Sequence, residues 1–236
     1  MILMNTISRS VRVIFLGLVT FLAATAAEAQ FVYLNPNSVD IRSFPAAPVN
    51  GSSEDRADLD GVRKLQKTRT GAECARATDE AGASLKSFYG MSHAVLSSRE
   101  LAAVATLFEE IGDDASEFIS PVKNQWRRPR PFRRDPKIRI CVPSVSGYSY
   151  PSGHATLARV SARAFGLIFP DRARALLTRG NEIGRDRVIG AVHHPIDVQE
   201  GNHLGDEIFD ALIKSSEFMH RIDEIRAELG SSRTSR

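Results

Sequence analysis

Apolar residues recur at intervals of three and four over most of the chain, the spacing of one buried face of an α-helix. Leu59, Val62 and Leu65 begin one amphipathic stretch. Ser97-Ser98-Arg99-Glu100 has the Ser-x-x-Glu form of a capping box and leads into Leu101, Val104, Phe108 and Ile111. After Gly112-Asp113-Asp114 the same period continues through Ala115, Phe118, Ile119 and Val122. Leu157, Val160, Ala164 and Leu167 predict a helix starting near His154 or Ala155, and Asp171 to about Thr178 reads as another, closed by Gly180. Arg187 and His193 fall on a further predicted helix, stopped by Pro195. The last long helix carries Leu204, Ile208, Leu212, Met219, Ile222 and Ile225, and on it Gly201 and Gly205 would let a neighbouring helix approach closely. Alternating strand patterns are nearly absent and no internal repeat is found, so the expected fold is an all-α, single-domain bundle.

The two ends break this pattern. Arg9 and Arg12 precede an apolar stretch from Val13 to about Ala27, and Ala27-Glu28-Ala29 supplies small residues at the spacing a signal peptidase needs. This reads as a secretory signal peptide over residues 1–29, since the apolar stretch is short for a membrane span of roughly 20 residues. An uncleaved anchor is the alternative. Residues 30–55 are rich in Pro, Asn and Ser and read as an extended arm. Residues 56–228 form the helical domain, and 229–236 a disordered tail. The expected location is outside the cytoplasm, periplasmic for a bacterial source, with no membrane contact after cleavage.

The 236 residues carry a formal charge of +3, and cleavage leaves 29 basic and 27 acidic residues. That near balance argues against nucleic acid as a partner. So does the arginine-rich run from Arg127 to Arg139, which has one tryptophan, Trp126, and no interleaved aromatic platforms. An oxidising compartment allows Cys74 and Cys141 one disulfide, although their spacing does not say whether they meet. No HExxH, paired aspartate or Cys/His metal pattern occurs.

Three polar clusters could share one anion. In KNQWRRPRPF, Lys123 ends a helical segment while Pro129 and Pro131 hold Arg130 in extended chain, where its fork can meet a phosphate. In YPSGHA, Ser152, Gly153 and His154 stand at a helix start, where free N–H groups and the helix dipole favour an anion. The simpler reading there is that Ser152 caps a helix and His154 is a surface histidine. In RDRVIGAVHHPIDV, Asp197 follows His193 by four residues, placed to accept its ring N–H if a helix starts near Pro195. A surface pair is the alternative.

Taken together, Lys-x6-Arg-Pro (Lys123, Arg130, Pro131), Pro-Ser-Gly-His (151–154) and Arg-x5-His-x3-Asp (Arg187, His193, Asp197) resemble the tripartite signature of the PAP2 and vanadium haloperoxidase superfamily. The chain is most similar to its soluble branch, the bacterial class A nonspecific acid phosphatases. The resemblance extends to FPAAPVNGSSEDRADLD and to RGNEIGRDRVIGAVHHPIDVQEG. It implies a helical bundle of that type and metal-independent hydrolysis of small phosphorylated substrates through a phosphohistidine. His193 would be the nucleophile, Asp197 its orienting partner and His154 the proton donor. Lys123, Arg130, Arg187, Ser152 and Gly153 would bind the phosphate, whose place vanadate can also take. No cofactor is implied. Transfer to an alcohol acceptor stays open, as does oligomeric state, a homodimer being one option. Alternatives are a vanadate-dependent haloperoxidase and a non-catalytic periplasmic phosphate-binding protein. One position departs from the resemblance: Asp186 stands where a serine is usual, so either it points away from the anion or substrate preference is altered. With His193 neutral and His154 charged, ordinary histidine pKa values near 6.5 predict a bell-shaped rate profile on the acid side of neutrality.

Overall fold

The structure is a computed structural model that describes residues 31–88 and 96–231. The expected signal peptide and residues 232–236 of the expected tail lie outside the described residues. Among the described residues nine α-helices follow in order: α1 (Ser53–Thr68), α2 (Gly71–Asp79), α3 (Ser98–Ala103), α4 (Ala105–Trp126), α5 (Pro131–Arg134), α6 (Gly153–Ile168), α7 (Ala173–Ile189), α8 (Pro195–Leu212) and α9 (Ser216–Ser231). Among the described residues there is no strand, and no helix is long and apolar enough to cross a membrane. The all-α expectation holds.

Helix α6 lies at the centre, packed against α4, α7 and α8. The packing is close because small residues line both crossings. A Cβ at Gly180 or Gly184 of α7 would stand 2.8 Å from Ala158 O or 3.1 Å from Val198 Cγ1, and one at Gly201 or Gly205 of α8 would stand 2.6 Å from Ser152 O or 2.8 Å from Thr156 O. At Gly180, Gly201 and Gly205 these are distances real Cβ atoms do not tolerate, and at Gly184 the contact is tight, so the glycines let backbones approach, as expected for Gly201 and Gly205. A large apolar core surrounds α6, including Phe118 and Ile111 of α4, Phe165 of α6, Leu204 and Leu212 of α8 and Ile222 of α9, with two smaller clusters beside α1 and α7.

Several expected boundaries are corrected. Helix α7 runs through Gly180 to Ile189, because that glycine serves the α6 crossing rather than a helix end. The predicted last helix is two, α8 and α9, since Ser215 Oγ accepts from Phe218 N at 3.3 Å and caps the second. His193 is not on a helix: the chain leaves α7 at Ile189, turns through Ala191 with positive φ, and Pro195 opens α8 as its first residue. The same proline that cannot continue a helix is well suited to begin one. The extended arm ends at residue 52, because Ser52 caps α1, accepting from Asp55 N at 3.1 Å. Upstream of it, the backbone N–H groups of Val32 and Tyr33 donate to Asp114 of α4, and Tyr150 donates to Pro45 O. Cys74 of α2 and Cys141 form a disulfide.

Candidate active site

The three clusters, spread over 75 positions between Lys123 and Asp197, meet at the N-terminal ends of α6 and α8. Ser152 precedes α6 and caps it, its hydroxyl accepting from Ala155 N at 3.4 Å, so the simple reading of Ser152 as a cap describes its geometry. Its own N–H donates to Asp197 O at 2.8 Å, which ties the two helix starts together. Gly153 is the first residue of α6, and a Cβ there would meet only ordinary contact at 3.6 Å from Ile119. The protein's own packing therefore does not require glycine at this position.

Asp197 is buried in the first turn of α8, where the helix dipole favours a negative charge. Oδ1 accepts from Arg128 Nη1 at 2.7 Å. Oδ2 accepts from Ser149 Oγ, from His194 N at 2.8 Å and from His194 Nδ1 at 3.0 Å. Burial alone would raise its pKa, but its interactions with the neighbouring His193 and His194 rings outweigh that and hold the carboxyl well below the usual range. His193 Nδ1 stands 3.5 Å from the same oxygen, too long for a well-formed bond. The ring that bonds Asp197 most closely is thus His194, which the sequence analysis passed over, along with Arg128 and Ser149. A second histidine beside the motif's own, HH before the proline, was the available signal.

The His193 tautomer follows from its neighbour. Arg130 Nη1 stands 3.1 Å from His193 Nε2, and a guanidinium has no acceptor, so Nε2 carries a lone pair and Nδ1 carries the hydrogen, facing Asp197. Burial, then the positive charges of Lys123 and Arg130, push the His193 pKa well below its ordinary value despite Asp197. The ring is neutral at physiological pH.

Arg130 is extended, as Pro129 and Pro131 predict (φ −70°, ψ 154°), and its fork also donates to Ser146 O and Val192 O. Lys123 Nζ donates to Tyr148 O at 3.0 Å and Pro151 O at 2.6 Å. Burial, then the Arg130 charge, pulls its pKa down to about 8. Arg187 is 1 % exposed, and its Nε and Nη1 have no hydrogen-bond partner among the described residues. Burial lowers its pKa to about 10, which still leaves it charged. Its carbonyl accepts from Val192 N and His193 N and so anchors the turn that presents His193.

His154 sits on the first turn of α6, its Nε2 donating to Ala81 O at 3.0 Å. Burial, then the charges of Arg187, Arg130 and Lys123, drive its pKa down to about 3. The free protein therefore does not hold His154 charged near pH 6.5, which corrects the expectation from ordinary histidine values. An anion among those three cations would reverse most of the electrostatic part. Asp186 is buried but points to α2, its oxygens held by Arg76 Nε at 2.6 Å and Nη2 at 2.7 Å, so of the two readings offered for it the structure has the carboxylate engaged elsewhere. Nearby Glu80 is paired with Arg179, and burial raises its pKa to about 7.

The arrangement offers a neutral imidazole lone pair, three cations beside it, of which Arg130 and Arg187 are buried and Lys123 half-buried, and a second histidine within their field, which suits capture of a tetrahedral anion and attack on it. Residues 102–206 match the family model described as the PAP2 superfamily. The chain is 28% identical over 197 residues to an acid phosphatase of Zymomonas mobilis subsp. mobilis, covering 80% of this chain and 74% of the relative. It is 24% identical over 210 residues to a non-specific acid phosphatase of Providencia stuartii, covering 82% of each. Over 81 residues it is 36% identical to a non-specific acid phosphatase of Salmonella typhi, 34% of this chain and 32% of the relative.

Proposed function

We propose that this chain, a phosphatase of the PAP2 superfamily, is a secreted acid phosphatase that hydrolyses small phosphomonoesters through a phosphohistidine on His193, without a metal. The observation that carries the reading is Arg187, a buried cation with two unpartnered N–H donors. Burying such a group without partners costs several kcal/mol, and a bound phosphate would relieve it.

Non-bridging oxygens would take the free donors of Arg187 together with Lys123 Nζ, Arg130, the Ser152 hydroxyl and the Gly153 N–H. Drawing Arg130 onto the phosphate releases His193 Nε2, whose lone pair attacks phosphorus in line while the P–O bond to the alcohol breaks. Phosphoryl transfer asks chiefly for positioning and charge stabilisation, and three fixed cations supply both. His154 delivers a proton to the departing alkoxide. With Nε2 engaged on Ala81 O, Nδ1 is the nitrogen for this, and a bound phosphate favours its protonation by offsetting the surrounding positive charge. Water then attacks the phosphohistidine, returning a proton to His154 and releasing phosphate.

The test is p-nitrophenyl phosphate hydrolysis from pH 4 to 9 with EDTA, beside His193→Ala. EDTA-resistant turnover with an acid-side optimum, absent from the variant, supports the reading. Folded wild-type protein with no turnover overturns it. His154→Ala should lose on the order of 10²–10⁴-fold with alkyl phosphates and much less with p-nitrophenyl phosphate, whose leaving group needs no proton.

A further inference from the structure

We infer that Arg76 of α2 is a positioning residue for the anion site, acting by neutralising Asp186 so that the neighbouring Arg187 keeps its donors for phosphate. The inference rests on the reading of Arg187 as a phosphate-binding group. Asp186 and Arg187 are consecutive on α7, both about 1 % exposed or less, and each lies in the other's field. A buried carboxylate beside a buried guanidinium would normally pair with it. Here it does not: both Asp186 oxygens are taken by Arg76 in a two-point grip of 2.6 and 2.7 Å, while Arg187 Nε and Nη1 remain unpartnered among the described residues. Arg76 thus wins the carboxylate that would otherwise compete with the substrate for Arg187.

The geometry of α2 makes this grip dependable. Cys74, two residues before Arg76, is bonded to Cys141, and Thr78 donates to Cys141 O at 2.8 Å. Cys141 in turn donates its N–H to Gly190 O at the end of α7. Helix α2 is therefore held to the last turns of α7 covalently and by hydrogen bonds. Just past its end it supplies Ala81 O to His154 and Glu80 to Arg179. Glu80, paired with Arg179, also acts on Asp186 by charge and by a side-chain hydrogen bond and on Arg187 by charge, and Arg76 is the cation that grips both Asp186 oxygens.

The experiment compares wild type, Arg76→Ala, Arg76→Lys and the double variant Arg76→Ala/Asp186→Ser, measuring inorganic phosphate binding by titration calorimetry and kcat and KM with p-nitrophenyl phosphate. An unmasked buried carboxylate beside the site should weaken phosphate binding and raise KM roughly 10- to 100-fold in Arg76→Ala, with a smaller change in kcat. Arg76→Lys should recover part of this. The double variant, which has no ion pair at all but also no carboxylate, should return to within about threefold of wild type. A pair that served only to hold α2 in place would leave the double variant as impaired as the single one, and that result overturns the inference, as does an unchanged KM in Arg76→Ala. Phosphate binding without turnover in wild type would overturn the phosphatase reading while leaving this test intact. Absence of phosphate binding in wild type overturns both.

Discussion

Two buried carboxylates flank the site, and they are supported in opposite ways. Asp197, on the rear wall, occupies the first turn of α8 and receives hydrogens from Arg128, Ser149, the backbone and ring of His194 and the field of a helix N-terminus. Asp186, on the flank, lies inside α7 where backbone N–H groups are already spent on the helix, and both oxygens depend on one side chain from another element. A charge at a helix start is held by redundancy. A charge within a helix is held by whichever partner the tertiary fold brings, which is why the flank depends on how α2 is placed.

The largest effect should come from the rear wall. Asp197→Asn keeps the shape but removes the negative charge that faces the His193 and His194 rings, and kcat for p-nitrophenyl phosphate should fall about 10³–10⁴-fold, as when an orienting aspartate is lost elsewhere. Asp186→Asn should change kcat less than about tenfold by the same assay, because the flank carboxylate orients no reacting group. Equal losses would erase the distinction.

Arg128 sharpens it on the side of stability. It bridges Asp55, Asp58 and Asp197, all fully buried, so Arg128→Ala should cost about 3–5 kcal/mol in urea denaturation. Arg76, a quarter exposed, has water to soften its loss, and Arg76→Ala should cost about 1–2 kcal/mol. Replacing Cys74 and Cys141 by serine opens a bridge between residues 67 apart, for which chain entropy predicts a loss of roughly 4 kcal/mol and practice often somewhat less. Because the bridge holds the flank and not the rear wall, the surviving folded fraction should show a raised KM before any fall in kcat.

The smallest effect separates His154 from both carboxylates. His154 is held neutral in the fold with a pKa near 3, against about 6.5 unfolded, so between those values the unfolded chain binds the extra proton and stability falls as pH drops below 6.5. His193 adds in the same sense. Glu80, raised to about 7, works the other way between that value and its unfolded one. The phosphate-free protein should therefore lose a few degrees of Tm from pH 7 to 5, and saturating phosphate should flatten the slope by favouring protonated His154. A slope unaffected by phosphate would detach His154 from the anion site.

The helical class was legible because a 3.6-residue apolar period survives any tertiary arrangement, and the capping box at Ser97 and Glu100 is a local hydrogen-bond pattern that formed as read. The convergence of Lys123, Arg130, Arg187, His154, His193 and Asp197 was legible only through three motifs recognised together, since no local rule brings such distant segments to one place. Boundaries failed where one residue type has two uses. Gly180 can end a helix or admit a neighbour, and only the 2.8 Å approach to Ala158 O shows which. Pro195 can stop a helix or start one, and the turn anchored on Arg187 O decides it.

What the sequence determined by itself was the set of groups available: helices with one apolar face, three cations, two histidines, and an acid at position 186 where a hydroxyl was expected. What only the tertiary structure decided was their pairing and their protonation. Arg128 and His194 serve Asp197, Arg76 takes Asp186, and burial among cations drives both histidines neutral. Those outcomes depend on desolvation and on distances of a few ångströms between segments remote in the chain, and neither quantity is written in the order of residues.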